Sequence, residues 1–318
     1  MYLTLCNTIC KRAWLAILLL AIFPFGCGQD KNSPTDTATS GSIHIVADDA
    51  YKPVIEAEVK VFQALYINAH VDIKYETEDS AIKDLMASDS VRFAVVSRKL
   101  NQSELDYFHS KNYFPEEIKI ATDAMALIVN NNNPDSLLTL DKVKAIFNGD
   151  DSLWTEVNAK SKLDKMAVVF DHENSGNSHY IRDSITHCKK FPGYCFALKS
   201  NAEVINYVSK NPNAIGIISV NWISDNYDSA VMRFLSQIKV VGISHKESTN
   251  ANDFYQPFQA YLKMNQYPLC RNVYIIKRES RTGLGSGFTA FITGEKGQRI
   301  VLRAGLLPAT VPTEIIRY

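Results

Sequence analysis

The 318-residue chain has no surplus charge of either sign, with 34 Lys and Arg against 34 Asp and Glu. Its basic residues are scattered and form no stripe, which argues against nucleic acid or an acidic membrane surface as a partner. Any charged ligand must therefore be held by local geometry and not by a bulk field.

Cysteine is scarce, and half of it belongs to the N-terminal leader: Cys6, Cys10 and Cys27. The remaining thiols, at 188, 195 and 270, lack the closely spaced ligand pairs of a zinc site, so no metal is expected. In an exported chain Cys188 and Cys195 could close a small loop, but free thiols fit the spacing nearly as well. The pairing stays open.

Nucleotide-binding signatures and internal repeats are also missing. The glycine-rich segment 283–287, GLGSG, has neither the GxGxxG spacing nor the Lys of a Walker motif. It predicts a flexible connection before a helix that starts near Phe288. No repeat of 20–50 residues is visible, which excludes a solenoid. No cofactor is expected.

No apolar run near the N-terminus is long enough to span a bilayer. Lys11 and Arg12 precede the uncharged run 13–25, which falls short of the roughly 20 residues required but suits a signal peptide. Gly26-Cys27 then resembles a lipobox, so residues 1–27 are predicted to be a lipoprotein signal peptide, with Cys27 the acylated first mature residue. Pro24 stands where Leu is usual, and ordinary secretory cleavage is the alternative.

The polar segment 28–40 predicts a flexible tether, since it contains no large apolar side chain, and a folded domain begins near Gly41. From there strand and helix patterns alternate. Strands are predicted at 42–47, 71–75 and 93–97, with helices over 51–66 and 78–86 between them. Such βαβαβ order indicates a mainly parallel sheet with ligands at the carboxyl ends of its strands.

A second α/β run follows, with strands at 124–129, 166–170 and 214–220 and a helix at 140–147. Two α/β units in tandem suggest two lobes that face a cleft. In this second run the segment DHENSGNSHYIRD, residues 171–183, joins a strand to a helix. Its small polar residues lie where a helix leaves N–H groups unpaired, which suits an anion. The alternative is a simple helix cap by Asn174 or Ser175.

Several ordered segments resemble the phosphate-type substrate-binding proteins of ABC transporters, in the PBP-like superfamily. They are LLTLDKVKAIFNGDDSLW (137–154), NAIGIISVNWI, YPLCRNVYII and the near-C-terminal GFTAFITGEKGQRIVLRAGLLPA. The resemblance implies an α/β, two-lobe periplasmic-binding-protein-like (type II) fold with a hinge and an interlobe cleft. The PBP-like domain would be 41–318, with lobe 1 at about 41–127 plus 239–318 and lobe 2 at about 128–238.

The resemblance also implies ligand contacts at strand ends and in the 171–178 turn. Carried across residue by residue, they fall at Ala50, Tyr51, Ser80, Arg98, Asp171, Ser175, Gly176, Asn177 and Ser178. The family's acid after the third strand is Arg98 here, and its Arg in the turn is Asp171. We therefore expect Arg98 to offer a bidentate fork to an oxyanion, with Asp171 orienting it or accepting a ligand proton. An ordinary surface pair is the alternative.

As a function the resemblance implies binding without a reaction. The expected protein is a monomeric, membrane-anchored lipoprotein of the cell envelope, in the periplasm, that delivers inorganic phosphate or a related oxyanion to an ABC permease. The alternative is an adhesion, scaffold or sensing lipoprotein on the same fold. A remote alternative is a penicillin-recognising serine enzyme, because Ser80-x-x-Lys83, Ser224-Asp225-Asn226 and Arg281-Thr282-Gly283 follow its motif order, with Arg in place of Lys.

Overall fold

The computed structural model describes residues 36–224, 229–248, 250–278 and 281–310. The predicted signal peptide, the lipidation site Cys27 and residues 28–35 of the predicted tether lie outside these ranges, as do Asp225 and Asn226. Within the described ranges, no helix combines the length and the apolar character that a membrane crossing would need.

The first half of the fold is the predicted βαβαβ unit. Strand β1 (Gly41–Asp48) pairs in parallel with both β2 (Ala69–Glu76) and β3 (Val91–Val96). Helix α1 (Lys52–Leu65) follows β1 after a single 3-10 turn, α2 (Glu78–Ala87) follows β2, and α3 (Gln102–Ser110) follows β3. Asp48 caps the 3-10 turn before α1 by accepting a hydrogen bond from Ala50 N, and Thr77 caps α2 by accepting one from Ser80 N.

One long strand crosses from the first half into the second. Strand β4 (Glu116–Asn130) is 15 residues long, whereas the sequence pattern predicted only 124–129. Up to Ala124 it pairs antiparallel with β11 (Cys270–Lys277), and from Met125 onward it pairs antiparallel with β8 (Ala214–Ser219). The change of partner at Ala124–Met125 marks the joint between the halves.

The second half is built around β8 and its parallel neighbour β6 (Ala167–Phe170), which also pairs in parallel with β7 (Cys195–Ala197). The short helix α6 (Gly176–His179) follows β6 and continues as a π-helical segment, Tyr180–Thr186. Its other elements are β5 (Leu137–Thr139), α4 (Leu140–Asn148), α5 (Trp154–Val157), α7 (Asn201–Lys210), α8 (Ser229–Leu235), β9 (Ile238–Val240) and β10 (Gly242–Ser244).

The C-terminal elements return to the first half. They are α9 (Gln259–Lys263), β11, α10 (Leu284–Thr293), α11 (Glu295–Arg303) and β12 (Leu307–Pro308). The prediction of a flexible connection at 283–287 is wrong, because α10 begins at Leu284. Leu284, Phe288 and Ile292 recur on one buried face of that helix, and this periodicity outweighs the helix-weakening glycines.

Residues at the end of the predicted tether pack against α10. Asp36 is buried and accepts a hydrogen bond from Leu284 N at 2.8 Å. Gly287 permits this approach, since a Cβ at that position would lie 1.8 Å from the carbonyl oxygen of Ala38. The packed part of the chain thus starts before Gly41.

The strand order β2-β1-β3-β11-β4-β8-β6-β7 confirms the α/β, two-lobe fold class. The predicted parallel pairing holds for β1 with β2 and β3, and for β6 with β7 and β8. The crossing strands β4 and β11 pair antiparallel with each other and with their outer neighbours β8 and β3. Cys188 and Cys195 are unbonded in the structure, and burial, together with the nearby Cys188, raises the pKa of Cys195 to about 12.

Candidate functional site

Polar residues from three strand ends meet where the two halves join. Asp48 is the last residue of β1, Ser97 follows β3, and Asp171 follows β6. Asp48 and Asp171 are both fully buried. This is the strand edge at which the alternating pattern predicted a ligand.

The 171–178 turn uses most of its side chains internally. Ser175 Oγ donates to Asp171 Oδ1 at 2.5 Å and accepts from Ser178 N at 3.2 Å, so it acts as the helix cap. Ser178 Oγ donates to the carbonyl oxygen of Glu173 at 2.5 Å. The main-chain N–H of Gly176 points away from the turn, toward the first half, where it donates to Asp48 Oδ2 at 2.9 Å.

The cation of the site comes from the crossing strand β11. The Arg271 side chain is 3 % exposed, and its Nε and Nη2 lie 3.1 and 3.0 Å from Asp123 Oδ2. Its Nη2 also donates to Asn177 Oδ1 at 2.7 Å, and its guanidinium carbon lies 5.3 Å from the centre of the Tyr51 ring. Among the described residues, Arg271 Nη1 has no hydrogen-bond partner.

Three polar side chains converge at Gly176. A Cβ at this position would lie 2.7 Å from Asp48 Oδ2, 2.7 Å from Ser97 Oγ and 3.0 Å from Arg271 Nη1. The unpartnered guanidinium nitrogen therefore faces the same point as a main-chain N–H and a hydroxyl. Gly176 N donates to Asp48 and Ser97 Oγ donates to Glu78 Oε2 at 2.5 Å, so Arg271 Nη1 is the open donor of this set among the described residues. A buried guanidinium nitrogen of this kind suits an oxygen of a small anion.

Carboxylates surround this single guanidinium. Burial raises the pKa of Asp48, and the nearby charges of Asp171 and Glu78 raise it further. Burial likewise raises the pKa of Asp123 and Asp171. Each added negative charge in this group is therefore opposed by burial and by the carboxylates already present.

Glu78 and Arg271 are the members of this group whose pKa values are shifted in favour of the charged form. Burial opposes ionisation of Glu78, but hydrogen bonds from His179 and Ser97 outweigh it and lower the pKa. Burial also opposes the charge on Arg271, but the neighbouring Tyr51 and Asp123 raise its pKa above the ordinary value. Arg271 therefore keeps its charge at any pH at which the protein is folded.

The structure does not bring Arg98 to Asp171. Arg98 Nη1 and Nη2 fork onto Glu104 at 2.8 and 2.9 Å, and its side chain is 32 % exposed. The oxygens of Asp171 accept from Ser175 and from Asn201 Nδ2, the latter at 3.1 Å. The physical reason is local, since Glu104 is held in the capping box of α3, six residues after Arg98.

Some of the other predicted contact residues lie beside Arg271, and the rest form hydrogen bonds at the starts of nearby helices. Tyr51, Gly176 and Asn177 lie around Arg271, and the Tyr51 hydroxyl has no hydrogen-bond partner in the described part of the chain. Ala50 N is bonded to Asp48 Oδ1 at 2.9 Å. Ser80 N and Oγ both bond Thr77 Oγ1, so Ser80 belongs to the cap of α2.

Sequence reasoning gave no site role to Asp123, Arg271 or Asn201. It placed Asp48 and Ser97 at strand ends where a ligand was expected, without counting them among the ligand contacts. The signal for Arg271 was present in the segment YPLCRNVYII, which carried the resemblance without a role for its Arg. Asp123 precedes the predicted strand 124–129, and only its pairing with Arg271 gives it a role. Within the described ranges, no group of three or more His, Cys, Asp or Glu side chains is placed to hold a metal ion.

Comparison with known proteins agrees with this architecture. A family model described as "PBP superfamily domain" matches residues 32–296. The match covers most of the chain, and the chain belongs to this superfamily.

Relatives of known sequence include proteins named as phosphate-binding proteins. The phosphate-binding protein PstS of Pseudomonas aeruginosa is 23 % identical over 287 residues, which cover 86 % of this chain and 84 % of that protein. PstS of Staphylococcus aureus (strain USA300) is 24 % identical over 291 residues, covering 89 % and 82 %.

Solved structures show the same fold. A Clostridium perfringens protein, assigned as a phosphate ABC transporter substrate-binding protein and solved with bound phosphate, has a TM-score of 0.70 and 24 % identity, covering 85 % of this chain and 100 % of its own. An ABC-type phosphate transport receptor from Vibrio cholerae has a TM-score of 0.60 and 18 % identity, covering 84 % and 100 %.

Proposed function

We propose that this protein is the solute-binding component of an ABC transporter and that it binds phosphate or a related tetrahedral oxyanion between its two halves. The observation that carries the proposal is the buried Arg271 guanidinium, whose Nη1 has no partner among the described residues and faces Gly176 and Ser97. The names of the relatives support the same class of ligand.

Arg271 suits this task because its orientation is fixed before a ligand arrives. Asp123 and Asn177 hold Nε and Nη2, which leaves Nη1 directed at the joint between the halves. A guanidinium of fixed orientation binds an oxyanion with less loss of side-chain entropy than a mobile one. We assign to Arg271 the fork that was expected of Arg98, because both Nη atoms of Arg98 are held by Glu104.

The remaining features of the proposal concern location and partners. The protein acts as a monomer in the cell envelope, in the periplasm, anchored by lipid at Cys27, and it passes the ligand to a membrane permease without a chemical reaction. Its lobes are about residues 41–127 with 245–318, and about 128–244, closing by hinge motion about β4. The predicted boundary at 238/239 is shifted because β9 and β10 pair with β4 and β5 of the second half. Ala50, Tyr51, Gly176 and Asn177 are the proposed contacts beside Arg271, while Ser80, Asp171, Ser175 and Ser178 support the turns.

Isothermal titration with phosphate, sulfate and molybdate tests the proposal. We expect phosphate binding, with a loss of at least a hundredfold in affinity for Arg271→Lys, which keeps the charge but loses the planar fork. The matched control is Arg98→Ala, for which we expect a change of less than fivefold. Failure to bind any oxyanion would overturn the proposal in favour of a scaffold or sensing role, and a large loss only in Arg98→Ala would return the fork to Arg98.

A further inference from the structure

We propose that the Asp48 carboxylate occupies the position of a ligand oxygen, so that an anion binds only by displacing Asp48 from Gly176. The inference rests on the proposed function and names the residue that sets the affinity of that same site. Among the predicted contacts at the end of β1, Ala50 and Tyr51 were assigned to the ligand, but the side chain that reaches across the joint is Asp48.

The first support is geometric. Asp48 Oδ1 accepts from Ala50 N at 2.9 Å and Oδ2 accepts from Gly176 N at 2.9 Å. Ala50 and Gly176 are both residues that the anion was expected to contact. The two carboxylate oxygens of Asp48 accept hydrogen bonds from their N–H groups in the way that two oxygens of an oxyanion would. One N–H cannot serve Asp48 and a ligand in full at the same time.

The second support is the guanidinium next to this contact. Arg271 Nη1 is buried, has no partner in the described chain, and faces the same point at Gly176 as Asp48 Oδ2. The site therefore has one donor filled by Asp48 and one donor left for a ligand. A ligand that reaches Arg271 Nη1 must meet the Asp48 carboxylate at close range.

Charge makes that encounter unfavourable while Asp48 stays in place. Arg271 is already paired with Asp123, and Asp48 is accompanied by Glu78 and Asp171, all three fully buried. An oxyanion placed beside this group experiences like-charge repulsion in a medium of low dielectric constant. When Asp48 moves out of the site, Gly176 N becomes free to donate to the ligand. The same movement removes the carboxylate that lies next to Gly176.

The same contact joins the two halves. Asp48 and Gly176 belong to different halves, as do Asp49 and Asn201, whose Oδ2 and Nδ2 are 3.2 Å apart. Glu78 Oε1 and His179 Nδ1, 3.4 Å apart, form a third such contact. With Asp48 in the ligand position, the halves are held together as a bound anion would hold them.

The test compares Asp48→Ser with wild type by isothermal titration with inorganic phosphate. Serine is too short to reach Gly176 N, so we expect at least a tenfold gain in affinity. Asp72→Asn is the control, since it removes a carboxylate from an exposed pair with His44 of β1 without freeing Gly176 N, and we expect a change of less than threefold. Circular dichroism verifies that each variant is folded.

Small-angle X-ray scattering of the same proteins without phosphate gives a second readout. We expect Asp48→Ser to have a larger radius of gyration than wild type and to become compact on addition of phosphate. Unchanged or weaker phosphate affinity in Asp48→Ser, with binding intact in wild type, would overturn this inference and leave the proposed function standing. Absence of binding in wild type and Asp48→Ser alike would overturn both.

Discussion

Arg271 and Asp123 form a buried ion pair in which Nε and Nη2 share one carboxylate oxygen, and Ser219 Oγ donates to the other oxygen at 2.7 Å. Asp123→Ala would leave a buried guanidinium without its counterion. We expect the free energy of unfolding to fall by about 3–5 kcal/mol, measured by urea denaturation.

The control for that experiment is Glu56→Ala, because Glu56 forms an exposed pair with Lys52 at 3.9 Å. Exposed pairs contribute little, so we expect a change of less than about 0.5 kcal/mol. A loss below about 1 kcal/mol in Asp123→Ala would contradict the importance given to the buried pair.

Glu58 predicts a dependence of stability on pH. It is fully buried on α1, neither carboxylate oxygen has a hydrogen-bond partner within the described residues, and burial raises its pKa to about 9 from an ordinary value of 4.5. The pKa of Glu58 is higher in the folded state than in the unfolded state. Its contribution to the free energy of unfolding is therefore most favourable below pH 4.5 and becomes less favourable as pH rises toward 9.

Glu58→Leu removes this penalty. We expect it to stabilise the protein by about 3–5 kcal/mol at pH 8 and by about 1 kcal/mol at pH 5, measured by urea denaturation at both values. Glu56→Leu, on the exposed side of the same helix, serves as the control. An equal difference at both pH values would show that Glu58 does not titrate as described.

Gly176→Ala tests the convergence point of the site. The added methyl would meet Asp48 Oδ2 and Ser97 Oγ at 2.7 Å, which is closer than real Cβ contacts, so these groups or the turn must move. We expect phosphate affinity to fall at least fiftyfold in isothermal titration. Gly193→Ala is the matched control, since no atom lies within 4 Å of its Cβ position. Equal affinity in both variants would remove Gly176 from the site.

Gly287→Ala tests the packing of residues 36–40 on α10. A Cβ at this position would lie 1.8 Å from the Ala38 carbonyl oxygen, so the segment must detach or the helix must shift. We expect the free energy of unfolding to fall by about 1–3 kcal/mol. Limited proteolysis with mass spectrometry should show faster cleavage between residues 36 and 41 than in Gly193→Ala, and an unchanged cleavage rate would contradict the contact.

Local patterns predicted what depends on local chemistry. The strands and helices from 41 to 97 follow from alternation, helical spacing and the caps at Asp48 and Thr77. The pairing of Arg271 with Asp123 joins positions 148 residues apart along the chain, and no spacing rule reaches that far. The same holds for Asp48 and Gly176, which are 128 residues apart.

The misassigned segments have physical causes of the same kind. Gly283–Gly287 has a loop-like composition, but burial of Leu284 and Phe288 decides its helical state. Arg98 was expected in the site because it follows a strand end, but a neighbouring carboxylate, Glu104, competes successfully for it. Which carboxylate an arginine side chain pairs with depends on the distances in the folded chain, and a sequence motif does not contain that information.

The change of partner in β4 at Ala124–Met125 has a consequence for the order of events in binding. Asp123 lies one residue before this joint, and Arg271 pairs with Asp123 in the strand register, so the backbone of both residues adjoins the hinge that we propose in β4. In that motion, groups beside the hinge would move little, whereas Gly176 would move away from Asp48. In the proposed motion an incoming anion would therefore contact the fixed guanidinium of Arg271 first. The hydrogen bond from Gly176 N would form afterwards, when the two halves close.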